Sequence, residues 1–185
     1  MLFPSNVRRF VCALVLTFCV LPLQSATLER LSLDNMIQKA TAIVRATVTG
    51  SHVAQQGPLI YTHYTIHVTE RFKGPAAASV DIVVPGGTLN NLRQSFAGTP
   101  SFRTGDDYVF FLWTGPSGLT HIIGLTQGLF AMSRPSSGNP VATRTASSEV
   151  MLDRATGHQV KDQTLVMNLS DLRSRIAKSL SGAGN

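Results

Sequence analysis

The sequence predicts a mainly β fold: a small antiparallel barrel of five to six strands, with a short N-terminal helix before it and a C-terminal helix after it. Three observations carry this prediction. Residues 61–74 hold the longest unbroken period of two in the chain, with Tyr64, Ile66 and Val68 on one face and His63, Thr65, His67, Thr69 and Arg71 on the other. That alternation marks a half-buried strand. Shorter runs of the same kind flank it, punctuated by glycine and proline, while spacing by three and four recurs near each end of the chain.

Taken in order, residues 1–26 predict a secretory signal peptide. Arg8 and Arg9 precede the apolar run FVCALVLTFCVLPL, and Ser25 and Ala26 offer a cleavage point. The run is shorter than the roughly 20 residues of a membrane-spanning helix, and Pro22 interrupts it. Left uncleaved, it would be a membrane anchor. Phe10 and Val11 fit a twin-arginine signal poorly, so general secretion is the expected route, to the periplasm or out of the cell. No membrane span is expected in the mature chain.

Residues 32–40 predict the first helix. Leu33, Met36, Ile37 and Ala40 share a stripe, Ser32 stands as N-cap and Asp34 lies in the first turn. Residues 42–50 alternate as strand one, 51–58 form a polar loop, and 61–74 follow as the central strand. Residues 79–84 make strand three, stopped by Pro85, Gly86 and Gly87. Residues 88–105 form a long connection pinned by Leu89, Leu92, Phe96 and Phe102. Residues 108–113, YVFFLW, are apolar on both faces, so this strand is expected to be covered by the barrel interior on one side and by a helix or loop on the other.

Residues 119–124 and 128–133 are expected to pair as a last hairpin. Residues 135–167 are rich in Ser, Thr, Gly and Pro and are expected to be mainly mobile loop, with a small hairpin turning at 155–157. In residues 168–185 helical spacing returns, with Leu169, Leu172, Ile176 and Leu180 on one stripe, followed by a frayed tail. The expected organisation is therefore a signal over 1–26, a barrel over 27–134, a loop region over 135–167 and a closing helix over 168–185.

Loss of residues 1–26 removes two arginines, no acid and both cysteines. It leaves 159 residues with 14 basic and 10 acidic side chains, a net charge of +4. One domain of that size buries roughly two thirds of its unfolded surface. It would fold without a disulfide, and thiolate chemistry is closed to it. The basic residues are scattered, so a nucleic-acid ligand is not expected.

The run AIVRATVTG, then YTIHVTERFKGP, VDIVVP, and the strand at 105–113 followed by LTHIIG resembles the netrin-like, OB-type barrel of the tissue inhibitors of metalloproteinases. That family carries a similar strand ending in Phe-Lys-Gly-Pro, and the resemblance spans about residues 33–133. It implies an OB-like fold. The family grips the protease zinc with a disulfide-bonded N-terminal cysteine, whereas this chain would begin near Thr27 without one, so no inhibitory residue carries over. The chain also resembles exported bacterial proteins with the same succession of turns, seen here at Gly86-Gly87, 98–102 and 124–128.

No catalytic motif is present: the sequence lacks a Gly-x-Ser-x-Gly elbow, a phosphate loop and a His-Glu-x-x-His helix. No catalytic residue, metal ligand or cofactor is therefore assigned. His63 and His67 share a face but lie about 13 Å apart along a strand, too far to bind one ion together; His121 could pair with either. Asp106 and Asp107 point to opposite faces and suit a turn. Gln94 and Gln127, in Gly-rich connections, either contact a ligand or order their loops. The candidate ligand-binding residues are thus Tyr61, His63, Thr65, His67, Gln94 and Gln127, together with the 86–102 loop. The expected function is an exported, non-enzymatic binding or protein-interaction module for an envelope ligand or protein. The alternative is an envelope hydrolase or a hydrolase inhibitor.

Overall fold

The computed structural model describes residues 27–182 except residue 137, so the expected signal over 1–26 and the last three residues of the chain lie outside the described residues. The architecture is built on one long hairpin. Strands β2 (Ala42–Gln56) and β3 (Leu59–Lys73) run for 15 residues each. They turn through Gly57, at φ +59°, and Pro58, the glycine-first geometry of a two-residue hairpin. The expected polar loop at 51–58 is mostly strand: residues 51–56 bury little, but their backbones pair with β3 as far as Gln56 opposite Leu59. Register shifts near residues 43–50 bend the hairpin, as barrel closure requires.

Strand β4 (Ser79–Pro85) pairs with β3, and β7 (Asp107–Thr114) pairs with β2. Strand β8 (Thr120–Ile122) lies antiparallel to β7 and meets β4 in parallel where His121 faces Val83. The ring β2-β3-β4-β8-β7 is thereby closed. Its last strand returns beside the third instead of beside its chain neighbour alone, the Greek-key connectivity of an OB-like barrel. Val44, Ala46, Val48, Ile66, Ile82 and Leu112 fill the interior. At one end Tyr64, Phe102 and Tyr108 meet edge-on at 4.9 and 5.4 Å.

The second core lies outside the barrel. Helices α1 (Leu33–Lys39) and α2 (Leu169–Gly182) press Met36, Ile37, Leu172 and Ile176 onto Ile43, Val109, Phe111 and Phe130. Strand β7 is therefore covered on both faces, as its sequence predicts. The Ser32 hydroxyl caps α1 by accepting the Asn35 N–H at 3.1 Å. Arg175 clasps Asp34 across the two helices, and the Lys73 ammonium donates to the carbonyls of Ile37 and Gln38 at the C-terminal end of α1.

The expected last hairpin does not form. β8 and β9 (Leu129–Ser133) lie on the same edge of β7, one after the other. Residues 123–128 bulge out between them, closed by Phe111 N–H donating to the Gly128 carbonyl at 2.9 Å and Gly128 N–H to the Ile123 carbonyl at 2.9 Å. At this split the chain leaves the ring and widens the sheet through β10 (Val141–Arg144) and β13 (Leu165–Asn168).

The expected loop region also holds β11 (Val150–Leu152) and β12 (Gln159–Val160), the small hairpin, which adds to β1 (Thr27–Glu29). The small hairpin is expected from the sequence, turning at 155–157, but its pairing with β1 is not. Arg144 of β10, 3% exposed, ties the 162–163 segment that follows the hairpin to the widened sheet by donating to Asp162 and to the Gln163 carbonyl, both at 2.7 Å. The 88–105 connection carries its own two-stranded hairpin, β5 (Gly87–Leu89) and β6 (Leu92–Gln94). Asn90 and Asn91 turn it at φ +48° and +64°. Among the described residues, no helix is long and apolar enough to cross a membrane.

Candidate functional site

The outward face of β3 joins the outward faces of its neighbours into one wall of flat rings. Because the strand alternates, Tyr61, His63, Thr65 and His67 point away from the filled interior. His63 stacks on His52, its cross-strand partner in β2, with ring centroids 4.6 Å apart and planes 19° from parallel. On its other side Nδ1 of His63 lies 2.7 Å from an Asp81 carboxylate oxygen of β4, one diagonal step along the ladder. The expected loop around residue 52 concealed this pair. The signal was the glycine of the two-residue turn, which extends β2 far enough to bring His52 beside His63.

Further along, Tyr61 meets His121 edge-on at 6.2 Å, and His121 lies 6.2 Å from Trp113, the residue opposite it on β7. Burial holds the imidazole of His121 below the ordinary histidine value, so it is neutral at pH 7. Trp113 is 44% exposed, the largest ring presented to solvent. Gly115 leaves room for it: a Cβ there would come within 2.9 Å of the indole. The structure thus brings Tyr61 and His63 together with His52, Asp81, His121 and Trp113. Thr65 and His67 continue the same face, exposed, towards Ser79 and Thr47.

Gln94 and Gln127 lie elsewhere, with both ends of each amide occupied by main chain. Gln94 Oε1 accepts the Ile60 N–H at 2.7 Å and its Nε2 donates to the Pro58 carbonyl at 3.0 Å, bracing the long hairpin. Gln127, 1% exposed, accepts the Leu31 N–H at 2.8 Å and donates to the Glu29 carbonyl at 2.9 Å. It straps the segment leading from β1 to α1 onto the bulge at 123–128.

That strap makes one side of a cleft of about 420 Å³, with Trp113 and His121 opposite. Leu31 and Ile123 supply apolar walls, and Glu29 and Lys39, 3.7 Å apart, stand at its edge. The expected 86–102 loop reaches the ring wall at Pro100, which lines a small hollow with Val83 and His121. It roofs one end of the barrel, over a polar hollow of about 300 Å³ lined by Thr62, Tyr64, Arg93 and Ser101. The opposite end opens into an apolar bowl of about 390 Å³ bounded by Val44, Val68, Val80 and Leu112.

Among the described residues, no group of three or more His, Cys, Asp or Glu is placed to hold a metal ion. The wall can stack against flat or C–H-rich ligand faces and exchange hydrogen bonds through neutral imidazole, phenol and carboxylate groups. Sequence comparison adds no family to this geometry: no protein-family model matches the chain, and no curated protein is significantly similar to it.

Proposed function

We propose that this protein is an exported, non-enzymatic binding module whose ligand lies along the outer wall of the barrel. The observation that supports this reading most directly is the row Tyr61–His121–Trp113, beside the His52–His63 stack, on a rigid curved sheet. Rings held by cross-strand neighbours lose little freedom when a ligand covers them, so their surface is available for affinity. The pairing of His63 with Asp81 orients an imidazole at the centre of the wall.

Thermal unfolding of the purified protein against divalent metals, glycans, cell-wall fragments, peptides and oligonucleotides tests the proposal. A ligand at 100 times its dissociation constant adds about 2.7 kcal/mol, a shift of roughly 5–10 °C for a domain of this size. Tyr61→Ala and His63→Ala should abolish that shift while leaving the free protein folded. Binding unaltered by both substitutions would place the ligand elsewhere and overturn the assignment.

A further inference from the structure

We infer that the cleft between the β1–α1 segment and Trp113 is a subsite for one sugar residue of an uncharged glycan; the inference rests on the binding-module reading above. Three features of the cleft point to this chemistry.

Its surface is divided. Leu31, Ile123 and the indole of Trp113 form apolar walls, while Glu29, Lys39 and His121 supply the polar groups. A pyranose is divided in the same way, with C–H groups on its faces and hydroxyls around its rim. The indole's electron-rich face attracts the slightly positive C–H face in the way it attracts an aromatic edge.

The polar groups are mixed in kind. A hydroxyl donates one hydrogen bond and accepts others, so it is best met by an acceptor and a donor side by side. Glu29 and Lys39 provide that pair at 3.7 Å, and both remain 39–44% exposed, free to turn towards a ligand. Glu29 is also 3.6 Å from Arg154. A carboxylate ligand would compete with Glu29 for its partners and an ammonium ligand would compete with Lys39, whereas a hydroxyl displaces neither. The neutral imidazole of His121 can likewise donate from one nitrogen and accept at the other.

The platform is preorganised. Gly115 leaves room for the indole, where a side chain would meet it at 2.9 Å, and the His121 ring lies beside it with centroids 6.2 Å apart. Gln127 fixes the facing segment from beneath. The cleft of about 420 Å³ falls within the usual range for small-ligand sites, roughly 300–1,000 Å³. It opens onto the row leading to Tyr61, so further residues of the same glycan would run along the wall.

Trp113 is the sole tryptophan of the chain, so tryptophan fluorescence reports on the surroundings of this one ring. The purified protein is titrated with chitohexaose, cellohexaose and maltohexaose. The expected result is a saturable change in Trp113 emission with at least one of them. By calorimetry, Trp113→Ala should weaken that glycan about tenfold or more and Trp113→Tyr only a few-fold, as expected if stacking carries the contact. Glu29→Gln, which keeps the acceptor but removes the charge, should weaken it by less than Trp113→Ala. Unfolding temperatures of the variants verify that each is folded. No saturable response to any of the three glycans, or equal affinity in Trp113→Ala, overturns the sugar subsite. If the glycans fail while a peptide or cell-wall fragment shifts unfolding in a Tyr61-dependent manner, the sugar assignment falls and the binding-module reading stands.

Discussion

Replacing the strap, Gln127→Glu, changes one atom and should make stability depend on pH in a way the parent protein's does not. In the parent, Gln127 is 1% exposed, accepting from Leu31 N–H and donating to the Glu29 carbonyl. The introduced carboxylate can still accept from Leu31. Its second oxygen, however, faces a carbonyl oxygen where the amide placed a donor at 2.9 Å. A buried charge left without its partner costs about 3–5 kcal/mol. At 1.36 kcal/mol per pKa unit, even the lower figure raises the introduced group by about two units, from ~4.3 to between 6 and 7.

The sign follows from that raised value. In the protonated form the carboxyl donates to the Glu29 carbonyl and the strap is restored, so the deficit is small below pH ~4. It grows as pH rises through the interval between the unfolded and folded values and is complete above pH ~7. Measured by thermal unfolding, the variant should lie about 6–12 °C below the parent at pH 8 and close to it at pH 4. Hydrogen exchange at the Leu31 amide should accelerate in parallel at pH 8. A variant matching the parent at pH 8, or trailing it equally at both pH values, would refute the reasoning.

Three further outcomes are expected. Arg144→Met leaves Asp162, whose side chain is 1% exposed, charged and buried without its cation; urea unfolding should show a loss of about 3–5 kcal/mol, and an unchanged midpoint would mean that the 145–164 segment is not held by this pair. Burial pushes the Asp162 carboxyl up, but N–H groups of Ser147 and Gln163 and the Arg144 guanidinium more than offset this and hold it below the ordinary value. Its contribution is therefore present above pH ~4 and lost as pH falls further, so Asp162→Asn should flatten the acid limb of the stability profile. Gly128→Ala would bring a Cβ within 2.8 Å of the Ile123 carbonyl and 3.0 Å of that of Phe111. Main chain cannot step aside there, so the split between β8 and β9 should cost about 1–3 kcal/mol. An unaltered unfolding midpoint would show that the bulge is pliable.

Tyr61 and His63 were placed on the wall by alternation alone, because a strand with one filled face must present the other. His52, Asp81, His121 and Trp113 come from four other strands, and their meeting depends on register, which no single run of residues contains. Trp113 in particular belongs to a strand apolar on both faces, where nothing local distinguishes a side chain under a helix from one past its edge. The two glutamines illustrate the converse. Their place in glycine-rich turns was compatible with ligand contact or with loop ordering, and only the position of the main-chain groups around them reveals their hydrogen bonds.

By itself, the sequence determined the central strand β3, the first part of β2 over 42–50, the third strand, the doubly covered β7 and the two amphipathic helices. In all but β7, whose unbroken apolar run instead requires cover on both faces, side-chain polarity follows the period of the local backbone over enough residues to leave one solution. The tertiary structure alone decided how the ring closes, since His121 meets Val83 through a parallel contact between strands that are distant in the chain. It likewise decided that residues 141–168 extend a sheet. Val141–Arg144 is too short and mixed to prefer a strand locally, and it becomes one by pairing with β9 and β13 and by burying an arginine against an aspartate 18 residues away. Local patterns are written by burial on one face; closure, register and long-range ion pairs are written by which elements happen to meet, and that is a property of the folded chain.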